Sequence, residues 1–225
     1  MEKDYLTIER ERYDAGWPDG FHFAVMGASG TDKSSLVNAL SEVQNSHPDA
    51  APVGTTETTR EVHRYEVRRN EVMWMHDIPS VSAASVEEAS FFSTYKLRLY
   101  DLVLVVYSDR LREVELKILE ACDYRHVPVC LVRTNSDQTI RNIMDDKGMT
   151  LNVAKKYYVE TTLDYIDRVF QDAELPDELN KSVFLVNKSG LYNYVKYEDA
   201  GEYGIHEDRL VEMLDVTVDP ELRTA

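Results

Sequence analysis

The sequence predicts an α/β fold, a doubly wound and mostly parallel six-stranded sheet with one antiparallel edge strand and short helical ends. Three observations carry this reading. Apolar segments of strand length alternate with segments of helical periodicity, the pattern of strands joined by crossover helices. Two segments, DLVLVVYS and VPVCLVRT, are continuous apolar runs, as in strands covered on both faces. One pair, EVHRYEVRR and EVMWMHD, is separated only by a turn at Asn70 and reads as a β-hairpin, the source of the antiparallel strand.

Taken in order, residues 3–14 read as a short charged helix, ended by Gly16-Trp17-Pro18-Asp19-Gly20. FHFAVMG is a strand, and Lys33 to Val43 a helix with Leu36, Val37, Leu40 and Val43 on one face. Residues 46–59 form a polar loop, then comes the hairpin, and residues 78–90 carry little pattern. Beyond DLVLVVYS, Leu111, Val114, Ile118 and Ala121 form a helical stripe. Beyond VPVCLVRT, TIRNIMDD and roughly 152–171 are helical, the latter with Val153, Tyr157, Ile166 and Phe170 inward. SVFLVN is the last strand and 206–214 the last helix. The implied division is an N-terminal helix and linker (1–20), an α/β domain (21–195) and a helical extension (196–225).

Lys and Arg total 25 against 41 Asp and Glu, a net charge of −16 that argues against nucleic acid or an anionic membrane as the main partner. Cys122 and Cys130 lie in apolar runs and read as buried residues of a reducing compartment. The N-terminus is charged throughout and no apolar run reaches the roughly 18 residues of a membrane span, so the expected location is cytoplasmic. The six histidines show no metal-ligand spacing.

Between the first strand and its helix stands Gly27-Ala28-Ser29-Gly30-Thr31-Asp32-Lys33-Ser34. It follows the phosphate-loop pattern G-x-x-x-x-G-K-[ST] of a P-loop NTPase except at Asp32, where a glycine is usual. In such a loop backbone N–H groups face a phosphate and the helix N-terminus favours its charge. Lys33 would reach the β- and γ-phosphates, and Ser34 would give its hydroxyl oxygen to Mg²⁺. Ser29 and Ser35 belong to the same phosphate-binding set. A carboxylate at Asp32, ~6 Å from a phosphate charge, would cost about 2–3 kcal/mol at an effective dielectric near 20.

Four further candidates follow strands or precede one, and in open α/β sheets ligands bind beyond the carboxyl ends of the strands. Asp77 ends the hairpin and would hold Mg²⁺ through water, with the Ser80 N–H near the γ-phosphate. Thr134-Asn135-Ser136-Asp137 offers a carboxylate that would pair with guanine N1 and the 2-amino group. Asp137 is equally suited to capping the following helix. The threonine run 55–59 would supply a hydroxyl to the metal, and Asn187-Lys188 would pack on the base or simply turn the chain into a helix.

GASGTDKSSLVNAL, APVGTTETT, MHDIPS, FFSTYKLRLYDLVLVVYSDR, LEACDYRHVPVCLVRTNSDQTIRNI and VFLVNKSGLYNYV together resemble the immunity-related GTPases, the interferon-inducible-type branch of the dynamin-like GTPases. The resemblance spans about residues 21–195 and implies a G domain that binds GTP or GDP with Mg²⁺. It also implies homodimers across the nucleotide face and roles in cell-autonomous defence, often with peripheral association with internal membranes. By position it matches Gly27, Gly30, Lys33 and Ser34 to the phosphate loop, Thr59 to the metal-binding threonine and Asp77 to the D-x-x-G aspartate. Lys33, Ser34 and Thr59 are thereby the candidates for catalysis. Asp137 matches the base-selecting aspartate, and Asn187 and Lys188 the last base-contact loop. Asp32, Ser80 and Asn135 depart from the family pattern, standing for two glycines and a lysine, and each change points to weaker binding or slower switching. The expectation is GTP binding with weak or partner-dependent hydrolysis, or else a pseudo-GTPase used as a protein-interaction module.

Overall fold

The computed structural model describes residues 2–54, 61–67, 72–87 and 90–217. The turn at Asn70 and the threonine run 55–59, Thr59 included, lie outside them. Helix α1 (Glu2–Asp14) precedes strand β1 (Phe21–Met26), and α2 (Lys33–Leu40) follows it. The hairpin strands are β2 (His63–Glu66) and β3 (Met73–Asp77). Short helices α3 (Ala83–Glu87) and α4 (Phe91–Thr94) lead to β4 (Leu102–Tyr107), then α5 (Glu113–Tyr124) and β5 (Val129–Arg133). Next come α6 (Ser136–Lys147), α7 (Leu151–Asp172), β6 (Val183–Leu185), α8 (Lys188–Tyr197) and α9 (Glu207–Thr217).

The sheet order is β2-β3-β1-β4-β5-β6. Among the described residues only the β2–β3 pair is antiparallel; β1 pairs in parallel with β3 and β4, β4 with β5, and β5 with β6. The register sets Val25 opposite Asp77, Met26 opposite Val105, Tyr107 opposite Arg133 and Arg133 opposite Leu185. Five carboxyl ends therefore reach one edge of the sheet.

Strand periodicity sends alternate residues to two cores. Ala24, Met26, Val103, Val105 and Leu131 pack with Ile118, Ile140, Tyr158 and Phe170 from α5, α6 and α7. Phe23, Val25, Leu104, Val106 and Val132 pack with Leu36, Leu40, Leu191 and Leu210 from α2, α8 and α9. Cys122 and Cys130 are buried free thiols, one in each core. Burial raises both thiol pKa values, that of Cys122 to about 12. No helix among the described residues is long and apolar enough to cross a membrane.

Some boundaries differ from the sequence reading. Helix α2 stops at Leu40 because Glu42 takes a left-handed φ of 56°. Val153 is 52% exposed, a correction to its inward assignment. The inward stripe of α7 is Ala154, Tyr158, Thr162, Ile166 and Phe170, one residue on from Val153 and Tyr157 at its first turns. Residues 78–90, patternless in sequence, include α3.

Candidate functional site

The loop from β1 to α2 has the backbone its glycines permit. Gly27 has φ 149°, and a Cβ there would stand 2.2 Å from the Val106 carbonyl oxygen, so only glycine fits. Asp32 adopts φ 62° and ψ 27°, left-handed angles that aspartate tolerates better than most residues. The β-carbon thus leaves the loop's turn into α2 intact. Behind the loop, the Ala28 N–H donates to Oε1 of fully buried Glu115 at 2.9 Å. The Thr31 hydroxyl donates to Ala28 O at 3.0 Å, and the Thr134 hydroxyl to Thr31 O at 3.2 Å. Ser29 is exposed, and its carbonyl accepts from Arg112 Nη1 at 3.5 Å.

Lys33 is buried, and its Nζ curls back to donate to Ala28 O at 2.9 Å and Ser80 Oγ at 3.0 Å. The Ser34 hydroxyl donates to Asp77 Oδ2 at 2.6 Å. Lys33, Ser34, Asp77 and Ser80, up to 47 residues apart in the chain, therefore meet at the ends of β1 and β3. A serine hydroxyl touching a carboxylate is a pair of hard oxygen donors, the set that Mg²⁺ takes. Ser35, by contrast, points to the loop after α2, where its hydroxyl accepts from Asn45 Nδ2 at 3.2 Å.

At the other end, Thr134 is buried and Asn135 is left-handed at φ 57°, ψ 31°. The Asn135 amide donates to Asp32 Oδ2 at 2.6 Å, so two of the three departures from the family pattern touch each other. Asp137 is in the first turn of α6 and accepts from Arg141 Nη1 at 2.8 Å. Asn135, not Asp137, holds the N-cap position, which removes the capping explanation for the aspartate. The Arg141 guanidinium lies over the Tyr203 ring, 4.4 Å from its centre.

Asn187 does cap its helix: Oδ1 accepts from the Gly190 N–H at 2.7 Å. Its backbone N–H and side-chain amide both donate to Glu207 Oε1, at 2.9 and 2.8 Å. The Ile205 N–H donates to the other oxygen of Glu207 at 2.6 Å. Burial raises the Glu207 pKa, and the N–H donors work against that rise. Exposed Lys188 lines a cavity of about 290 Å³ between α2 and α8, together with Ser35, Asn45 and Tyr192.

Glu115, Glu207 and Arg141 shape the site and were missed in the sequence. Arg141 had a local signal, four residues beyond an aspartate on one helix. The two glutamates each accept one local N–H, from Arg112 and Ile205, but the contacts that tie them to the site come from residues 87 and 20 positions away.

The sequence profile described as "Interferon-inducible GTPase (IIGP)" matches residues 19–205. The chain is similar to mouse Interferon-inducible GTPase 1, 29% identical over 134 residues that cover 59% of this chain and 32% of that protein. It is also similar to mouse T-cell-specific guanine nucleotide triphosphate-binding protein 2, 26% identical over 77% of this chain and 40% of that protein. It therefore spans two-fifths or less of the length of these relatives. Among solved structures, the fold is similar to a point variant of Aquifex aeolicus Era bound to GDP and aluminium fluoride. That match has TM-score 0.52 and 17% identity, and covers 90% of this chain and 58% of that one. Fold, profile and curated relatives agree, and the chain belongs to the interferon-inducible GTPase family.

Proposed function

We propose that the chain binds a guanine nucleotide with Mg²⁺ and hydrolyses GTP slowly, or only when a partner completes the site. The observation that carries this is that Lys33, bonded to Ser80, and Ser34, bonded to Asp77, join the start of α2 to the end of β3 beside the glycine-built loop. Lys33, desolvated and held at its own loop, is placed to neutralise the β- and γ-phosphates. Ser34 and Asp77 would hold the metal, which when bound supplies charge neutralisation between the phosphates. The Thr59 hydroxyl is proposed as a further metal donor, in line with the family pattern. The α2 N-terminus contributes backbone N–H groups and a favourable dipole. Asp137 reads the guanine N1 and 2-amino protons with the carboxylate that Arg141 orients, while Thr134, Asn187 and Lys188 border the base. Resemblance to the family supports pairing of two copies across the nucleotide face and peripheral association with internal membranes. Neither requires a span within this chain.

The second reading, a pseudo-GTPase that serves as a binding module, is favoured by the acidic Asp32 within the phosphate loop, where the family pattern has glycine. Two measurements separate them. Heat-denatured protein should release guanine nucleotide detectable by chromatography, or the apo protein should bind labelled GDP on titration with Mg²⁺. Phosphate release from GTP, alone and with rising protein concentration, then reports turnover. Binding without turnover at any concentration favours the module, and no binding at millimolar GDP removes the nucleotide reading.

A further inference from the structure

We propose that Asn135 is a positioning residue for the phosphate site: it holds the Asp32 carboxylate against the loop between β5 and α6 and so keeps that charge off the diphosphate cradle. This rests on the nucleotide reading above and concerns how the same site tolerates its acidic residue. Asp32 and Asn135 occupy equivalent places, the N-cap positions of α2 and α6, and both have left-handed backbones. Their side chains meet at 2.6 Å. One residue earlier in each loop, the Thr134 hydroxyl lies 3.2 Å from both Thr31 O and Tyr107 O and shares its single proton between them. Two successive contacts therefore stitch the phosphate loop to the base-reading loop, 103 residues away in the chain.

The stitching matters because of what an N-cap aspartate ordinarily does. Its carboxylate accepts from the N–H groups of the second and third helical residues. In α2 those are among the donors a diphosphate needs. Asp32 makes no such side-chain bond to its own helix. Its oxygen is turned instead to the Asn135 amide, a neutral donor to a charged acceptor and hence one of the stronger kinds of hydrogen bond. Without the amide, the carboxylate is free to rotate towards the anion or towards the amides that bind it. A family lysine at this position would pack along the base; Asn135 is too short for that and is committed to the loop.

The test is a double-mutant cycle on the full chain, read by GDP titration with Mg²⁺. Glycine suits the left-handed backbone at both positions, so Asp32→Gly and Asn135→Gly avoid backbone strain. Asn135→Gly is expected to weaken GDP binding at least tenfold when Asp32 is present. In the Asp32→Gly background the same change should cost less than threefold. Asp32→Asn, which keeps the backbone tolerance and the hydrogen bond but loses the charge, should bind GDP more tightly than the unaltered chain. It should also be insensitive to Asn135→Gly. Equal losses in both backgrounds would overturn the proposal and mean that Asn135 acts on the base or on loop shape alone. Should Asn135→Gly not fold, Asn135→Ala replaces it: a methyl group cannot donate to Asp32 and adds no charge, and the same non-additivity is expected. If none of the proteins binds GDP, the nucleotide reading falls and this role with it, an outcome distinct from additive curves on proteins that do bind.

Discussion

Asp137 shows how a single side chain can be recognised in sequence and still be described differently in structure. Its position two residues into α6 frees it from capping, and Arg141, one turn on, holds one of its oxygens. The other oxygen remains for a base. If the carboxylate reads the guanine N1 and 2-amino protons, Asp137→Asn presents a donor where an acceptor was needed. Preference should then shift towards xanthine nucleotides by tenfold or more in a competition assay between GDP and XDP; an unchanged ratio would assign base reading elsewhere. Lys33, Ser34, Asp77 and Asp137 could be singled out as candidates in the sequence because each stands at a fixed short distance from a strand end; the fold bonds Ser34 to Asp77 and Lys33 to Ser80. Glu115 and Glu207 were not legible, since a glutamate in a helical stripe reads as solvated. What keeps them buried is a set of backbone N–H donors, a local one for each from Arg112 and Ile205 and a distant one for each from Ala28 and Asn187 that the tertiary fold brings in.

Among the elements, α1 is fastened by buried Arg12, beside a Glu11–Arg98 ion pair at the surface. Arg12 is 3% exposed and donates from Nε and Nη2 to Leu99 O, at 2.9 and 2.6 Å. It also pairs with Asp101 at 2.9 Å, and the same carboxylate oxygen accepts from the His22 N–H at 2.7 Å. Arg12→Ala strands a buried carbonyl and a partly buried carboxylate and should destabilise the fold by about 2–3 kcal/mol in urea unfolding. Arg12→Lys should recover less than half, for an ammonium cannot reproduce the planar fork. Helix α5 grips the phosphate loop through Glu115, whose second oxygen accepts from the Arg112 N–H at 2.9 Å. Glu115→Gln turns one acceptor into a donor facing an N–H. A loss of about 1–3 kcal/mol in stability is expected, with weaker GDP binding in the same titration. Periodicity announced α5 and α7, although the inward face of α7 was read one residue early at its N-terminal turns. Helices α3 and α4 are of five and four residues, too short for any period to show.

For the whole molecule, the mostly parallel sheet and its antiparallel edge were legible because continuous apolar runs identify doubly covered strands and the hairpin identifies the edge; the order β2-β3-β1-β4-β5-β6 is set by the tertiary fold. Burial also fixes how the fold responds to acid. His76 is fully inside, and desolvation, helped by His22 and nearby arginines, lowers its pKa from 6.5 to about 2. His206 is lowered to about 4, again mainly by burial. The folded protein thus keeps both rings neutral where the unfolded chain takes up protons. Their contribution to stability is complete above pH 6.5 and is lost as pH falls below that value. For His76 alone the loss is about 1.4 kcal/mol per pH unit. Urea midpoints should therefore drop between about pH 7.5 and about pH 5.5, and His76→Gln should flatten the dependence; a slope unchanged by that substitution would place the acid sensitivity elsewhere. The same histidine belongs to a chain of ring contacts under Trp17. His22 Nε2 faces Pro18 O at 3.0 Å, His22 Nδ1 faces His76 Nε2 at 2.9 Å, and His76 Nδ1 faces the Tyr100 hydroxyl at 3.5 Å. A carbonyl only accepts, so one main-chain oxygen ahead of the first strand dictates which nitrogen of each imidazole carries hydrogen, and the phenol must point inward to close the series. The interior thereby acquires a polarity that runs one way, and nitrogen-15 spectra should report one frozen tautomer for each ring instead of an averaged pair.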